Sequence, residues 1–326
     1  MFCFHIIFIV FFIGFSYCSQ GDQTFNFHRC VGYCRMKFCR GDKFIYKKKF
    51  PHILLNVDKY SLSHKIQFAI LWKCPNECKY ICMWETVEVF KNDGLNVPQF
   101  FGKWPLLRVI GIEEIASAVA SVLNLIVTTF MFNKFLNCVP KSSQCYNLWW
   151  LHYITACIAW ISATIFHISD TWLTEKCDYF SALLFAVSAS YLTVIRVYEL
   201  SRRFIKVLIA ALFSVFFMFH VSYLLLVKFD YTYNMTVFVV IGSFNVISWI
   251  FWGLRNRNLH QSRFIMIWAI SLALLSILEF KEFTPIFWLF DSHSMWHFGT
   301  IFITIPLYKF AIMDCLYLQK LKGKIE

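Results

Sequence analysis

Asp291-Ser292-His293-Ser294-Met295-Trp296-His297-Phe298-Gly299-Thr300 opens the last apolar segment of the chain. Two imidazoles four residues apart at the start of a helix fall on one face, because each residue turns about 100° and rises about 1.5 Å. Such a pair can share one metal ion. His167 closes the second apolar segment and Asp178 opens the third, so a third imidazole and a carboxylate stand at comparable positions; Asp291 is a further candidate. Ligands at the edges of apolar segments point to zinc-dependent hydrolysis at a membrane surface.

The rest of the composition agrees with that setting. Of 326 residues, 59% are hydrophobic, 20% aromatic and only 15% charged. This is too apolar for a soluble globular chain and suits a polytopic membrane protein. The net charge of +12 does not indicate a nucleic-acid partner, because the aromatic residues lie in apolar segments and not along a basic polar face.

Met1 to Cys18 is almost wholly apolar, too short to span comfortably, and ends in Ser16-Tyr17-Cys18, where small residues at alternate positions fit signal-peptidase cleavage. Residues 1–18 are therefore expected to be a signal peptide, although no Lys or Arg precedes the apolar run. Residues 19–107 then form a lumenal domain containing Cys30, Cys34, Cys39, Cys74, Cys78 and Cys82. In an oxidising lumen six such cysteines predict three disulfides, chosen among 15 pairings, in preference to a zinc knuckle, which would need C-x2-C pairs. Lys47-Lys48-Lys49 reads as a solvated basic run.

Residues 108–326 carry seven apolar segments of spanning length, at about 109–132, 147–167, 179–197, 204–227, 236–254, 263–280 and 295–318. The expected fold is an all-α membrane protein, a seven-transmembrane helix bundle preceded by the small disulfide-rich domain. With that domain lumenal, the cytosolic loops and tail carry Lys134, Lys141, Arg196, Arg202, Arg203, Lys206, Arg255, Arg257, Arg263, Lys320, Lys322 and Lys324. The short lumenal loops carry only Lys176, Lys228 and Lys281, so the charge bias favours a lumenal N-terminus and a cytosolic tail. His167, Asp178, His293 and His297 then share one lumenal depth, where polar side chains face the bundle interior and pair with something.

Glu114, Ser117, Ser121, Asn124 and Thr128 follow i, i+3, i+7, i+10 and i+14, one helical face that must look inward. The whole constellation suits interhelical hydrogen bonding, and an equal reading has Glu114, at the lumenal end, orienting a metal ligand or binding a cation. His220 and Asn245 read as packing groups. The sequon Asn234-Met235-Thr236 lies so near the membrane that poor glycosylation is expected.

Several long motifs, in order, carry a family resemblance. They include the two cysteine triplets, Val97-Pro98-Gln99-Phe100-Phe101-Gly102-Lys103-Trp104-Pro105, Ala116 to Ser121, Phe166-His167-Ile168-Ser169-Asp170-Thr171, Thr174 to Phe180, His220-Val221-Ser222-Tyr223, and Asp291 to His297. Over nearly the whole mature length the chain resembles the Per1-like family of GPI-anchor remodelling phospholipases. That family lies within a wider superfamily of seven-span membrane hydrolases that includes alkaline ceramidases and adiponectin receptors. The resemblance implies a multi-pass protein of the Golgi or endoplasmic reticulum that removes the sn-2 acyl chain from the phosphatidylinositol of GPI-anchored proteins. It also implies a Zn²⁺ ion on His167, His293 and His297, with Asp178 moving protons.

One position departs from that pattern. The superfamily expects a serine one turn before the first histidine, and Ala163 stands there. Thr164, at i−3 from His167, and Ser162, about 100° off, are the candidate substitutes for stabilising the oxyanion. The Gln-Glu-Pro of span one is here Glu113-Glu114-Ile115. Two rivals share the same residues: an amide hydrolase acting on ceramide, and a non-catalytic receptor or sorting factor for GPI-anchored proteins that kept the metal.

Overall fold

The computed structural model describes residues 21–44, 73–281 and 283–323. The expected signal peptide and Lys47-Lys48-Lys49 lie outside the described residues. Two compact units are distinguished: residues up to Ala118 with Ile165–Trp172 and Glu282–Ser292, and Val119–Thr164 with Leu173–Lys281 and His293–Glu326.

The first unit is built on two helices, α1 (Phe25–Phe38) and α2 (Cys74–Asn92). Thr24 caps α1 by accepting a hydrogen bond from Phe27 N at 3.3 Å, and Pro75 sits at the start of α2, where its missing N–H costs nothing. The cysteine spacing becomes intelligible on these helices. Cysteines at i and i+4 of one helix meet cysteines at i and i+4 of an antiparallel partner, giving Cys30–Cys82 and Cys34–Cys78. Cys39, one residue beyond α1, closes the nested set with Cys74. All three expected bridges are present, and Phe27, Trp84 and Phe100 pack around them.

Further along the same unit, Arg108 donates to Glu77 at 2.7 Å, and its guanidinium carbon lies 3.5 Å from the Tyr80 ring centroid. Both charged side chains are fully enclosed, an ion pair that is destabilising if either partner is deleted. Leu107 N donates to Trp288 O at 2.7 Å, and the Trp84 and Trp288 rings meet edge to face. The segment that leads into the last helix is thereby fastened to α2.

Among the described residues, seven helices are long and apolar enough to cross a membrane. They are α3 (Ile115–Cys138), α4 (Tyr146–Ile168), α5 (Trp172–Val197), α6 (Arg203–Leu226), α7 (Tyr231–Arg255), α8 (Ser262–Phe280) and α9 (Ser292–Lys322). The expected fold class holds, with several boundaries shifted, among them the starts of spans one, three and five. Span one was expected from residue 109, but α3 starts at Ile115. Val109 and Ile112 exchange two backbone hydrogen bonds around Ile110 and Gly111, both at positive φ, a tight turn that cannot be helix. Glu113 N and Glu114 N then donate to Ile168 O and His167 O, which satisfies carbonyls at the end of α4 that have no partner within the helix. Span three was expected from 179, whereas α5 begins at Trp172, so Asp178 lies within the helix.

The second unit has an aromatic core of Phe132, Phe135, Trp149, Trp249, Trp252, Tyr308 and Phe310. Buried polar pairs run through it. Asn245 Nδ2 donates to Ser190 Oγ at 3.0 Å, Trp249 Nε1 to Thr193 Oγ1 at 2.9 Å, and Arg196 makes a two-pronged bond to Asp314. Between membrane helices such bonds each add roughly 0.6–2 kcal/mol, because apolar surface alone gains little from leaving lipid. His220 Nε2 lies 3.0 Å from Asn234 Oδ1, and Asn234 is buried inside α7, which fits the expectation that its sequon is a poor acceptor.

Candidate metal centre

Each candidate imidazole is positioned by its own surroundings. In the first unit, His167 ends α4 and is 1% exposed. Its Nδ1–H donates to Glu114 Oε2 at 2.7 Å, and Lys103 Nζ donates to the other carboxylate oxygen at 2.8 Å. Lys103 also bonds Asp170 Oδ2 at 2.8 Å and sits 4.1 Å from the Phe166 ring centroid. Burial alone would raise the pKa of Glu114, but the Lys103 ammonium and the His167 ring outweigh it and hold the carboxyl well below its usual range. Glu114 is therefore an anion that fixes the His167 tautomer with the proton on Nδ1, leaving Nε2 with the lone pair a metal needs. Glu114 thus holds the His167 ring with one carboxylate oxygen and the Lys103 ammonium with the other. Glu113 accepts from Asp170 N at 2.6 Å and secures the turn that carries these groups.

In the second unit, His293 and His297 lie on the first two turns of α9, and their Nε2 atoms stand 3.0 Å apart. His293 Nδ1 donates to Glu279, 3.1 Å from each carboxylate oxygen, so His293 also keeps its lone pair on Nε2. Glu279 was not among the sequence candidates. It sits at the end of α8, where a lone acid after a long apolar run was the only available signal. Close helix packing brings it within reach. A Cβ on Gly299 would collide with the Leu275 side chain, so the glycine lets α8 approach α9, and Glu279 lies one turn beyond Leu275 on the same face.

The polar face of α3 supplies a second support. Asn124 is fully buried; its Nδ2 donates to His297 O at 2.8 Å, and Thr300 Oγ1 donates to its Oδ1 at 3.2 Å. The backbone at His297 is thus pinned to α3. Ser117, Ser121 and Thr128 are buried on the same stripe, as the spacing required.

The remaining candidates occupy known positions without a demonstrated role. Thr164 Oγ1 donates to Trp160 O at 2.7 Å, and Ala163 is buried in the same turn of α4. Ser162 is half-buried. Asp178 is half-buried in α5, with Ser181 Oγ donating to its backbone carbonyl. Asp291 is half-buried immediately before α9.

The model of the Per1-like family matches residues 65–315. A GPI-specific phospholipase A2-like PGAP3 from Mus musculus is 37% identical over 312 residues, covering 95% of this chain and 94% of its own length. The corresponding protein from Homo sapiens is 36% identical, covering 93% and 91%. Post-GPI attachment to proteins factor 3 from Drosophila melanogaster is 34% identical, covering 87% and 85%. No solved structure matches the chain.

Proposed function

The chain belongs to the Per1-like family, and from that premise we propose that it removes the sn-2 acyl chain from the phosphatidylinositol of GPI-anchored proteins. We propose further that His167, His293 and His297, each offering one ring nitrogen, bind a single zinc ion. The observation that carries this reading is that two imidazoles from distant parts of the chain are each backed by a carboxylate, Glu114 on His167 and Glu279 on His293. Carboxylate-backed histidines that keep Nε2 as the acceptor are the usual partners of a metal. A satisfied structural histidine needs no such arrangement.

Bound there, zinc on three neutral imidazoles would retain its positive charge and an open position, supplying a Lewis acid for the ester carbonyl and an acidified water near neutral pH. The chain supplies the rest. Asp178 takes a proton from the attacking water and returns it to the departing sn-2 alcohol oxygen. Thr164 is the nearest substitute for the serine absent at Ala163: with a change of rotamer its hydroxyl leaves Trp160 O and donates to the developing oxyanion. Ser162 is the second choice, being turned to a different face of α4.

The test is lipid analysis of GPI-anchored proteins in cells that lack the native enzyme and express this chain. Release of the sn-2 chain is expected; ceramide cleavage with GPI lipids left intact would overturn the reading in favour of an amide hydrolase. In the same assay Thr164→Val should lower sn-2 release about 10²-fold, the usual cost of one oxyanion donor, while Ala163→Ser should change it little. A silent Thr164→Val together with a large gain from Ala163→Ser would remove Thr164 from the mechanism.

Orientation is part of the proposal, with α3 beginning on the lumenal side in the Golgi or endoplasmic reticulum. Two exposed thiols test it, Cys177 next to Asp178 and Cys138 at the far end of α3. In sealed microsomes a membrane-impermeant maleimide should label Cys138 and spare Cys177 until the vesicles are opened. Labelling of Cys177 in intact vesicles would reverse the orientation and remove the lumenal substrate.

A further inference from the structure

Lys309 has no place in the charge bias that orients the chain, because it lies inside the last span. It is exposed, and α9 continues beyond it to Lys322. At about 1.5 Å per residue, Lys309 stands about 26 Å along α9 from Ser292, and Lys134 about 28 Å along α3 from Ile115. Across a hydrocarbon core of about 30 Å, both ammonium groups reach headgroup depth at the end of the helices away from His297. An ammonium at the edge of the hydrocarbon needs a counter-charge or a route to water.

The two lysines share a groove. Its volume is about 440 Å³, and its walls are Val127, Phe130, Met131 and Lys134 of α3 with Ile305, Lys309 and Ile312 of α9. The spacings i, i+3, i+4, i+7 and i, i+4, i+7 mean that one face of each helix forms a wall. Among the described residues no carboxylate lines it. The nearest acid along α9, Asp314, is committed to Arg196. Five apolar side chains ending in two cations suit a molecule with an aliphatic tail and an anionic head, and the volume is within the roughly 300–1,000 Å³ of small-ligand sites.

We propose that this groove binds one anionic glycerophospholipid, with an acyl chain against Val127, Phe130, Met131, Ile305 and Ile312 and the phosphate between Lys134 and Lys309. The lipid would bridge α3 and α9 at the end opposite the Asn124 bond to His297, bracing from the other side the helix pair that carries two of the proposed metal ligands. The site is distinct from the hydrolytic one and stands whether or not the proposed activity is correct.

Native mass spectrometry of the purified full chain in neutral detergent tests it, with phosphatidylserine and phosphatidylcholine of identical acyl chains as probes. Wild type should retain one phosphatidylserine with roughly ten-fold or greater preference, as two lysines at a headgroup imply. The K134A/K309A protein should lose the preference, K134R/K309R and K320A/K322A should keep it, and Ile305→Trp, which fills the groove without removing charge, should lower retention of both lipids. Thermal melting in lipid-free detergent certifies that each variant is folded. A preference that survives K134A/K309A, or that falls equally in K320A/K322A, would reduce the effect to diffuse charge and overturn the site, as would undiminished retention in Ile305→Trp.

Discussion

His297→Ala should take the purified protein from about one zinc per chain to none detectable and abolish sn-2 release, because two imidazoles and water seldom hold zinc tightly. Asn124 bonds the backbone carbonyl of His297, which alanine keeps, so the α3–α9 link survives. Besides a ligand, the variant loses the 3.0 Å contact with His293 Nε2 and edge-to-face contacts with Trp160, His293 and Trp296, aromatic pairs worth about 0.5–1.5 kcal/mol each. His167→Ala should behave alike, although it also removes one of the two partners, His167 and Lys103, that the described residues give the Glu114 carboxylate. Elemental analysis beside lyso-GPI release checks both variants. Full zinc in either protein would refute the three-histidine site, and loss of activity with zinc retained would assign that histidine to chemistry and not to ligation.

What the sequence disclosed follows the periodicity of each feature. The His293 and His297 pair, the Asn124 stripe and the cysteine triplets all repeat at helical spacing, so each states its own geometry before any partner is known. The nested disulfide order was latent in the i, i+4 repeats, but it needed the antiparallel direction of α1 and α2, which no local pattern encodes. The start of α3 was misjudged because Val109, Ile110 and Ile112 are as apolar as the helix that follows. Gly111 alone marked the turn. Glu279 and Lys103 were hidden for another reason. Each acts on a residue remote in sequence, Glu279 on His293 across a close helix crossing and Lys103 on Glu114 across a loop, and a lone charge beside an apolar run does not name its partner.

Those two hidden residues frame the second prediction. Glu114→Ala should weaken zinc binding by about 10- to 100-fold, the typical cost of deleting the carboxylate behind a ligating histidine, with a parallel fall in sn-2 release at limiting zinc. Without the anion, the proton on His167 is no longer held at Nδ1, and the tautomer that puts the lone pair on Nε2 loses its advantage. Glu279→Ala should do the same through His293, whose Nδ1 it holds. Lys103→Ala should have a smaller effect of the same kind, because Lys103 acts on the imidazole only through Glu114. Saturating zinc separates orientation from chemistry. If these carboxylates only orient ligands, excess zinc should restore most of the activity of Glu114→Ala and Glu279→Ala, and the pH profile of the restored enzymes should match wild type. An activity loss in Glu114→Ala that zinc does not repair, at unchanged metal affinity, would make Glu114 a participant in proton transfer and displace Asp178 from that role.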